Sequence, residues 1–136
     1  MNDYASIDVR PGTLLVARPS IEDPYFTRSV VLVLAHSDND GSMGVILNRP
    51  LEVDHIDPDS PISRWMESSA TPSTIFFGGP VEPDGYICLT PLASSANAVT
   101  SVDIETTSPV HIEGPHRVFR GYSGWSAQQL SDEIRN

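Results

Sequence analysis

Ser29-Val30-Val31-Leu32-Val33-Leu34-Ala35-His36, then Ser37-Asp38-Asn39-Asp40-Gly41, then Ser42-Met43-Gly44-Val45-Ile46-Leu47-Asn48, is the stretch on which the fold turns. The first run is rich in β-branched residues and apolar on both faces, the pattern of a central strand covered on both sides. The five residues after it are turn formers: Asp and Asn side chains bond to nearby backbone, and Gly tolerates positive φ. Two strands so joined pair as an antiparallel hairpin. Arg49-Pro50 closes the second strand, because proline supplies no amide to a ladder and restricts the residue before it.

Working upstream, Pro11-Gly12 is a turn signal and Thr13-Leu14-Leu15-Val16-Ala17 is a strand, ended by Arg18-Pro19. Asp23-Pro24 introduces Tyr25-Phe26, read as a turn or one helical turn whose aromatics fold onto the core. Downstream, Leu51 to Pro72 is polar and proline-rich with one helix. Ser60 is its N-cap, Pro61 its first residue, and Ile62, Trp65 and Met66 share a face. Thr74-Ile75-Phe76-Phe77 and Tyr86-Ile87-Cys88-Leu89-Thr90 read as strands flanking a loop from Gly78 to Gly85. An edge hairpin is expected from Ala98 to Ile104 and Val110 to Glu113. Arg117-Val118-Phe119-Arg120-Gly121-Tyr122 alternates charged and apolar residues, a strand with one wet face. Ser126 with Gln129 forms a capping-box pattern for a helix after Trp125, and Ala127, Leu130 and Ile134 give it an apolar stripe.

The chain has 136 residues, 39% apolar and 19% charged, which suits one globular domain. Twelve prolines and nine glycines favour short elements and many turns. Eight basic residues against 18 acidic ones give a net charge of −10, and every basic residue is an arginine. Without lysine there is no Schiff-base chemistry and no lysine-ended phosphate loop. The acidic balance also opposes polyphosphate binding, which depends on many cationic contacts, so direct nucleic-acid binding is disfavoured. No helix-turn-helix pattern is visible. The longest apolar run, Val30 to Ala35, is six residues, against roughly 18 needed to span a bilayer. The polar start and the single cysteine, Cys88, predict a cytoplasmic protein with no internal disulfide.

Four segments carry a resemblance: Gly12 to Ala17 with Asp23-Pro24-Tyr25-Phe26; Gly44-Val45-Ile46-Leu47-Asn48-Arg49-Pro50; Phe77-Gly78-Gly79-Pro80-Val81; and Arg117 to Ser126 with Gln129-Leu130. In this order they resemble the YqgE/AlgH family of small bacterial proteins, over about residues 12 to 134. The resemblance implies an α+β fold, mainly a bent, bifurcated antiparallel sheet forming a pseudo-barrel flanked by a few short helices. It implies one domain over residues 1–136 that lacks the C-terminal part of the family; if that part covers the sheet, an apolar patch would lie open and invite self-association, with a homodimer among the expected assemblies. One member's name carries a role in transcriptional regulation, and no catalytic residues transfer.

Gly121-Tyr122-Ser123-Gly124-Trp125 is close to the hydrolase elbow G-x-S-x-G, but Trp125 stands where that turn needs a small residue. The glycines are read instead as easing a strand-to-helix turn above a packed Trp125. Cys88, set in an apolar strand, reads as core. His36, His55, His111 and His116 lack metal-binding spacing, and Asp38, Asp40 and Gly41 lack the later ligands of a calcium loop. No metal and no cofactor are expected. Glu82 with Asp84, and Asp57 with Asp59, read as surface charge. The candidate binding residues are Asn48, Arg49, Gly78, Gly79, Arg117 and Arg120: strand-end arginines beside glycines able to present consecutive amides to an anion. The leading expectation is a binding or regulatory module acting through a protein partner or a small anion. The alternative is an enzyme or sensor for a small anionic ligand, with the arginines and backbone amides as an electrostatic clamp.

Overall fold

The computed structural model describes residues 10–16, 28–37, 39–52, 56–92, 98–112 and 114–126. The elements in order are β1 (Leu14–Val16), β2 (Val30–Ser37), β3 (Gly41–Ile46), α1 (Pro61–Glu67), β4 (Ile75–Phe77), β5 (Val81–Pro91), β6 (Val99–Val102), a 3-10 turn (Pro109–His111) and β7 (Arg117–Trp125). The strands run β1-β2-β3-β7-β5-β6 across the sheet, with β4 added parallel to β7. The result is a curled, mainly antiparallel half-barrel of the α+β class. The turn expected at Asp23-Pro24-Tyr25-Phe26 and the helix after Trp125 lie outside the described residues.

The β2–β3 hairpin forms as read, with Ser37 opposite Gly41 and Leu32 opposite Val45. The Ser37 hydroxyl closes its turn by accepting from the Asn39 and Asp40 amides at 3.3 and 3.2 Å. Helix α1 begins at the expected cap, where Ser60 Oγ accepts from the Ser63 amide at 3.4 Å and Pro61 occupies the first turn. Its apolar stripe covers β5 and β7, so that Trp65, Ile75, Cys88 and Val118 form one buried cluster with Ile62 and Met66 against it. Two further clusters lie on the sheet: Val31, Val33, Ile46 and Trp125 in one, Leu32, Val45, Phe76, Leu89 and Phe119 in the other.

Strand β7 is the organising element. Its first half, Val118 to Arg120, lies between β4 and β5, and its second half, Ser123 to Trp125, pairs with β3. The bend between the halves falls at Gly121, whose φ is +71°. A Cβ there would overlap the Gly79 carbonyl, and one on Gly78 or Gly79 would overlap the Gly121 carbonyl or the Tyr122 and Ser123 atoms. Three glycines thus let two backbones cross at closer range than side chains allow.

Three expectations need correction. The residues from Val81 to Gly85 are part of an eleven-residue β5, carried there by a bulge rather than left as a loop. No hairpin joins residues 98–104 to 110–112: β6 pairs with β5, and Pro109–His111 is a 3-10 turn, since proline at its start cannot donate to a ladder. Ser123 and Gly124 belong to β7 rather than to a strand-to-helix turn, because β3 supplies them with ladder partners.

Candidate functional site

Each candidate binding residue already has work within the fold. Asn48 bridges the entry to β2: its Oδ1 accepts from the Val30 amide at 2.9 Å and its Nδ2 donates to the Arg28 carbonyl at 3.0 Å. This bridge spans Arg28, held at φ +56°. Arg49 gives its carbonyl to the Phe77 amide at 2.7 Å, which lays the segment after β3 beside β4. The Gly78 amide donates to the Arg120 carbonyl at 2.8 Å, so it is not part of an open amide nest. The Gly78 carbonyl takes the Ile46 amide at 2.9 Å and the Ser123 hydroxyl at 3.0 Å.

The two arginines of β7 diverge. Three residues apart on a strand, they stand roughly 10 Å apart along its axis and on opposite faces. Arg117 lies over the Phe76 ring at 4.3 Å and donates to the Thr71 carbonyl at 3.3 Å. Arg120 donates from Nε to the Pro83 carbonyl at 2.6 Å and stands 3.7 Å from the Asp84 carboxylate. Backbone hydrogen bonds therefore bring the Arg49, Gly78 and Arg120 segments together, with Asn48 next to Arg49 in the chain, while Arg117 lies further along β7.

Ser123 is fully buried with its hydroxyl given to Gly78, which denies it the exposed position a nucleophile needs. Cys88 is equally buried, and burial pushes its thiol up to about 11. His116, which spacing alone left without a role, fastens α1. Its Nε2 lies 2.9 Å from Ser68 Oγ and 3.2 Å from the Trp65 carbonyl, and its ring meets the Trp65 indole edge-on at 5.2 Å. Among the described residues, no three His, Cys, Asp or Glu side chains gather as a metal site. His55 lies outside the described residues.

The feature that sequence reading missed is on β5. Between the pairs Val81–Tyr122 and Tyr86–Arg120, β5 takes five steps while β7 takes two. The excess of three residues, around Glu82 to Gly85, leaves the ladder as a bulge. Glu82 is held there at φ +47°, in the left-handed region that costs a side-chain-bearing residue about 1–2 kcal/mol. Arg120 fastens the bulge from below through Pro83 and Asp84. Beside it opens a cavity of about 130 Å³ lined by Met43, Glu82, Gly85, Tyr86, Ile87, Gly121 and Tyr122. The signal in the sequence was Pro83-Asp84-Gly85, a turn tripeptide too near the strand Tyr86–Thr90 to be simple connection.

A curled half-barrel whose β5 bulges over an acidic, aromatic-lined hollow defines a class of small α+β protein without a recognisable catalytic centre among the described residues. The family model described as AlgH-like (DUF179) matches residues 14–136, and the chain belongs to that family. A UPF0301 protein of Nocardia farcinica is 41% identical, with 94% of this chain and 64% of that protein covered. One from Mycolicibacterium smegmatis is 40% identical over 93% of this chain and 68% of its own. The chain thus spans about two thirds of the length of these relatives. The crystal structure of DIP2367 from Corynebacterium diphtheriae superposes with a TM-score of 0.79 at 28% identity, over 96% of this chain and 73% of that one. The solution structure of AlgH from Pseudomonas aeruginosa gives 0.58 at 25% identity, over 89% and 70%. No helix among the described residues is long and apolar enough to cross a membrane.

Proposed function

We propose that this chain is a binding or regulatory module that acts through a protein partner, and that the contact is made at the β5 bulge. The observation that carries the reading is the strained Glu82 at the rim of a hollow lined by Met43, Tyr86 and Tyr122. Backbone strain persists only where the surroundings over-determine it, and it concentrates at ligand-contact sites. Bulges re-aim side chains at the same kind of place. Tyrosine and methionine suit a contact surface, because each offers a large apolar area that adapts to its partner. Arg120 then serves the site by holding the bulge rather than by meeting a ligand. A lone buried thiol is at ease in the reducing cytoplasm, where such a module would act.

The test is affinity capture with three proteins: the wild type, Tyr86→Ala at the hollow, and Val110→Ala on a remote exposed site. A partner recovered by the wild type and Val110→Ala but lost with Tyr86→Ala, at an unchanged melting midpoint, is the expected result. Equal recovery by all three would place the contact elsewhere.

A further inference from the structure

We infer that the hollow at the β5 bulge receives the cationic head of a basic side chain, a guanidinium or ammonium group, from the partner. The inference rests on the binding reading above and names the chemistry recognised.

Size comes first. At about 130 Å³ the hollow is well below the roughly 300–1,000 Å³ of pockets that hold cofactors or drug-sized ligands. It suits one side-chain head and excludes a nucleotide. Its lining then selects among heads. Tyr86 and Tyr122 are among its lining residues, and an aromatic ring attracts a cation through its quadrupole, while Met43 adds a polarisable thioether. Glu82 is the one ionisable carboxyl group among the lining residues. Arg120, next to the lining residue Gly121 on β7, donates to the Pro83 carbonyl and stands 3.7 Å from the exposed Asp84 carboxylate. A guest cation would thus find aromatic, thioether and carboxylate-bearing residues in one lining. The net charge of −10 extends the preference outward by attracting basic partners toward this surface.

The strain at Glu82 has a purpose in this scheme. A left-handed residue inside a bulge turns its side chain away from the course an ordinary strand residue follows. That backbone sets Glu82, the one carboxyl-bearing residue of the lining, at the rim of the hollow.

The probe is Nα-acetyl-arginine amide, titrated into the whole protein while the Tyr86 and Tyr122 ring signals and the Met43 methyl are followed by NMR. Nα-acetyl-citrulline amide, its neutral isostere, is the comparison. Saturable shifts at these three residues are expected with the arginine compound only. Glu82→Gln should weaken binding about fivefold or more, as loss of a close charge partner does. Glu67→Gln, which removes the same charge from the exposed end of α1, should leave it unchanged and so report any general effect of acidity. Equal shifts with citrulline, shifts at other residues, or equal losses in the two variants would overturn the assignment. Partner capture sensitive to Tyr86→Ala would survive that outcome, so the cation can fail while the contact site stands.

Discussion

Two ends of the same strand pair behave in opposite ways. From Tyr86 to Leu89, β5 runs in step with Arg120 to Arg117 of β7, and helix α1 seals this end. Trp65 is 1% exposed, Cys88 and Val118 not at all, and the indole Nε1 donates to the Ile104 carbonyl at 3.1 Å. At the other end the ladder loses its register, a non-glycine residue takes a left-handed backbone, and Tyr86 and Tyr122 are among the residues lining a hollow. One end concentrates burial, where stability comes from. The other holds unfilled space and strain, which a partner could relieve or exploit. A shared β5–β7 ladder fixes the second by anchoring it to the first.

The largest test of this contrast is truncation at both ends. Trp65→Ala removes a fully buried ring and its hydrogen bond, and should cost about 3–5 kcal/mol in denaturant titration. Tyr86→Ala, at a side chain 36% exposed, should cost about 1 kcal/mol or less. Comparable losses would mean that the bulge end is as tightly packed as the helix end.

The second test uses pH. Folding raises the Cys88 thiol from 9.0 to about 11, so between these values the unfolded chain releases a proton that the folded one keeps. The stabilisation is fully present below pH 9 and is lost as pH rises through 11, a change on the order of 3 kcal/mol. Cys88→Ala should flatten that part of the stability profile relative to the wild type. Modification of Cys88 by a thiol reagent at pH 8 should be slow until denaturant is added. Rapid reaction in the native state would show that the helix end opens readily.

The two ends also differ in how far the sequence disclosed them. The β2–β3 hairpin and α1 with its Ser60 cap were legible because cap and turn chemistry are local signals. The strand at Arg117 was legible as a strand, but the wet face expected of it is wrong, since Val118 and Phe119 are both buried, in separate clusters. The buried setting of Cys88 followed from its apolar neighbours on the strand. The bulge was not legible. Pro83, Asp84 and Gly85 announce a departure from regular strand, but whether β5 resumes in register depends on β7, more than thirty residues away in sequence. Glu82 and Asp84 are exposed, as read, but backbone conformation, not composition, sets Glu82 among the residues lining the hollow and Asp84 beside Arg120. The resemblance of Gly78-Gly79 to an anion nest failed to include the Arg120 carbonyl for the same reason. Amides can be judged open only once the crossing strand is in place.

A smaller effect isolates the anchor between the ends. Arg120→Met removes the donation to Pro83 and the pairing with Asp84 while retaining an aliphatic stem. At a half-exposed side chain, solvent screening limits the cost to about 1 kcal/mol. The more informative readout is local. Amide exchange at Asp84, Gly85 and Tyr86 should accelerate, while exchange around Cys88 and Val118 stays slow, since opening would be confined to the bulge. Acceleration at both places would join the ends into one cooperative unit and remove the contrast.

The smallest expected stability change is also the most discriminating. Glu82 carries the left-handed penalty of about 1–2 kcal/mol, and glycine would remove it at an entropic cost of about 0.5–1 kcal/mol. Glu82→Gly should therefore stabilise the protein by up to about 1 kcal/mol in chemical denaturation. The same substitution deletes the carboxylate, so binding of the arginine amide at Tyr86 and Tyr122 should fall at least as far as in Glu82→Gln. Stability gained together with recognition lost is the signature of a residue kept for contact rather than for folding. A destabilised variant would instead mean that the Glu82 side chain offsets its own backbone strain within the fold, and that the bulge is built for packing.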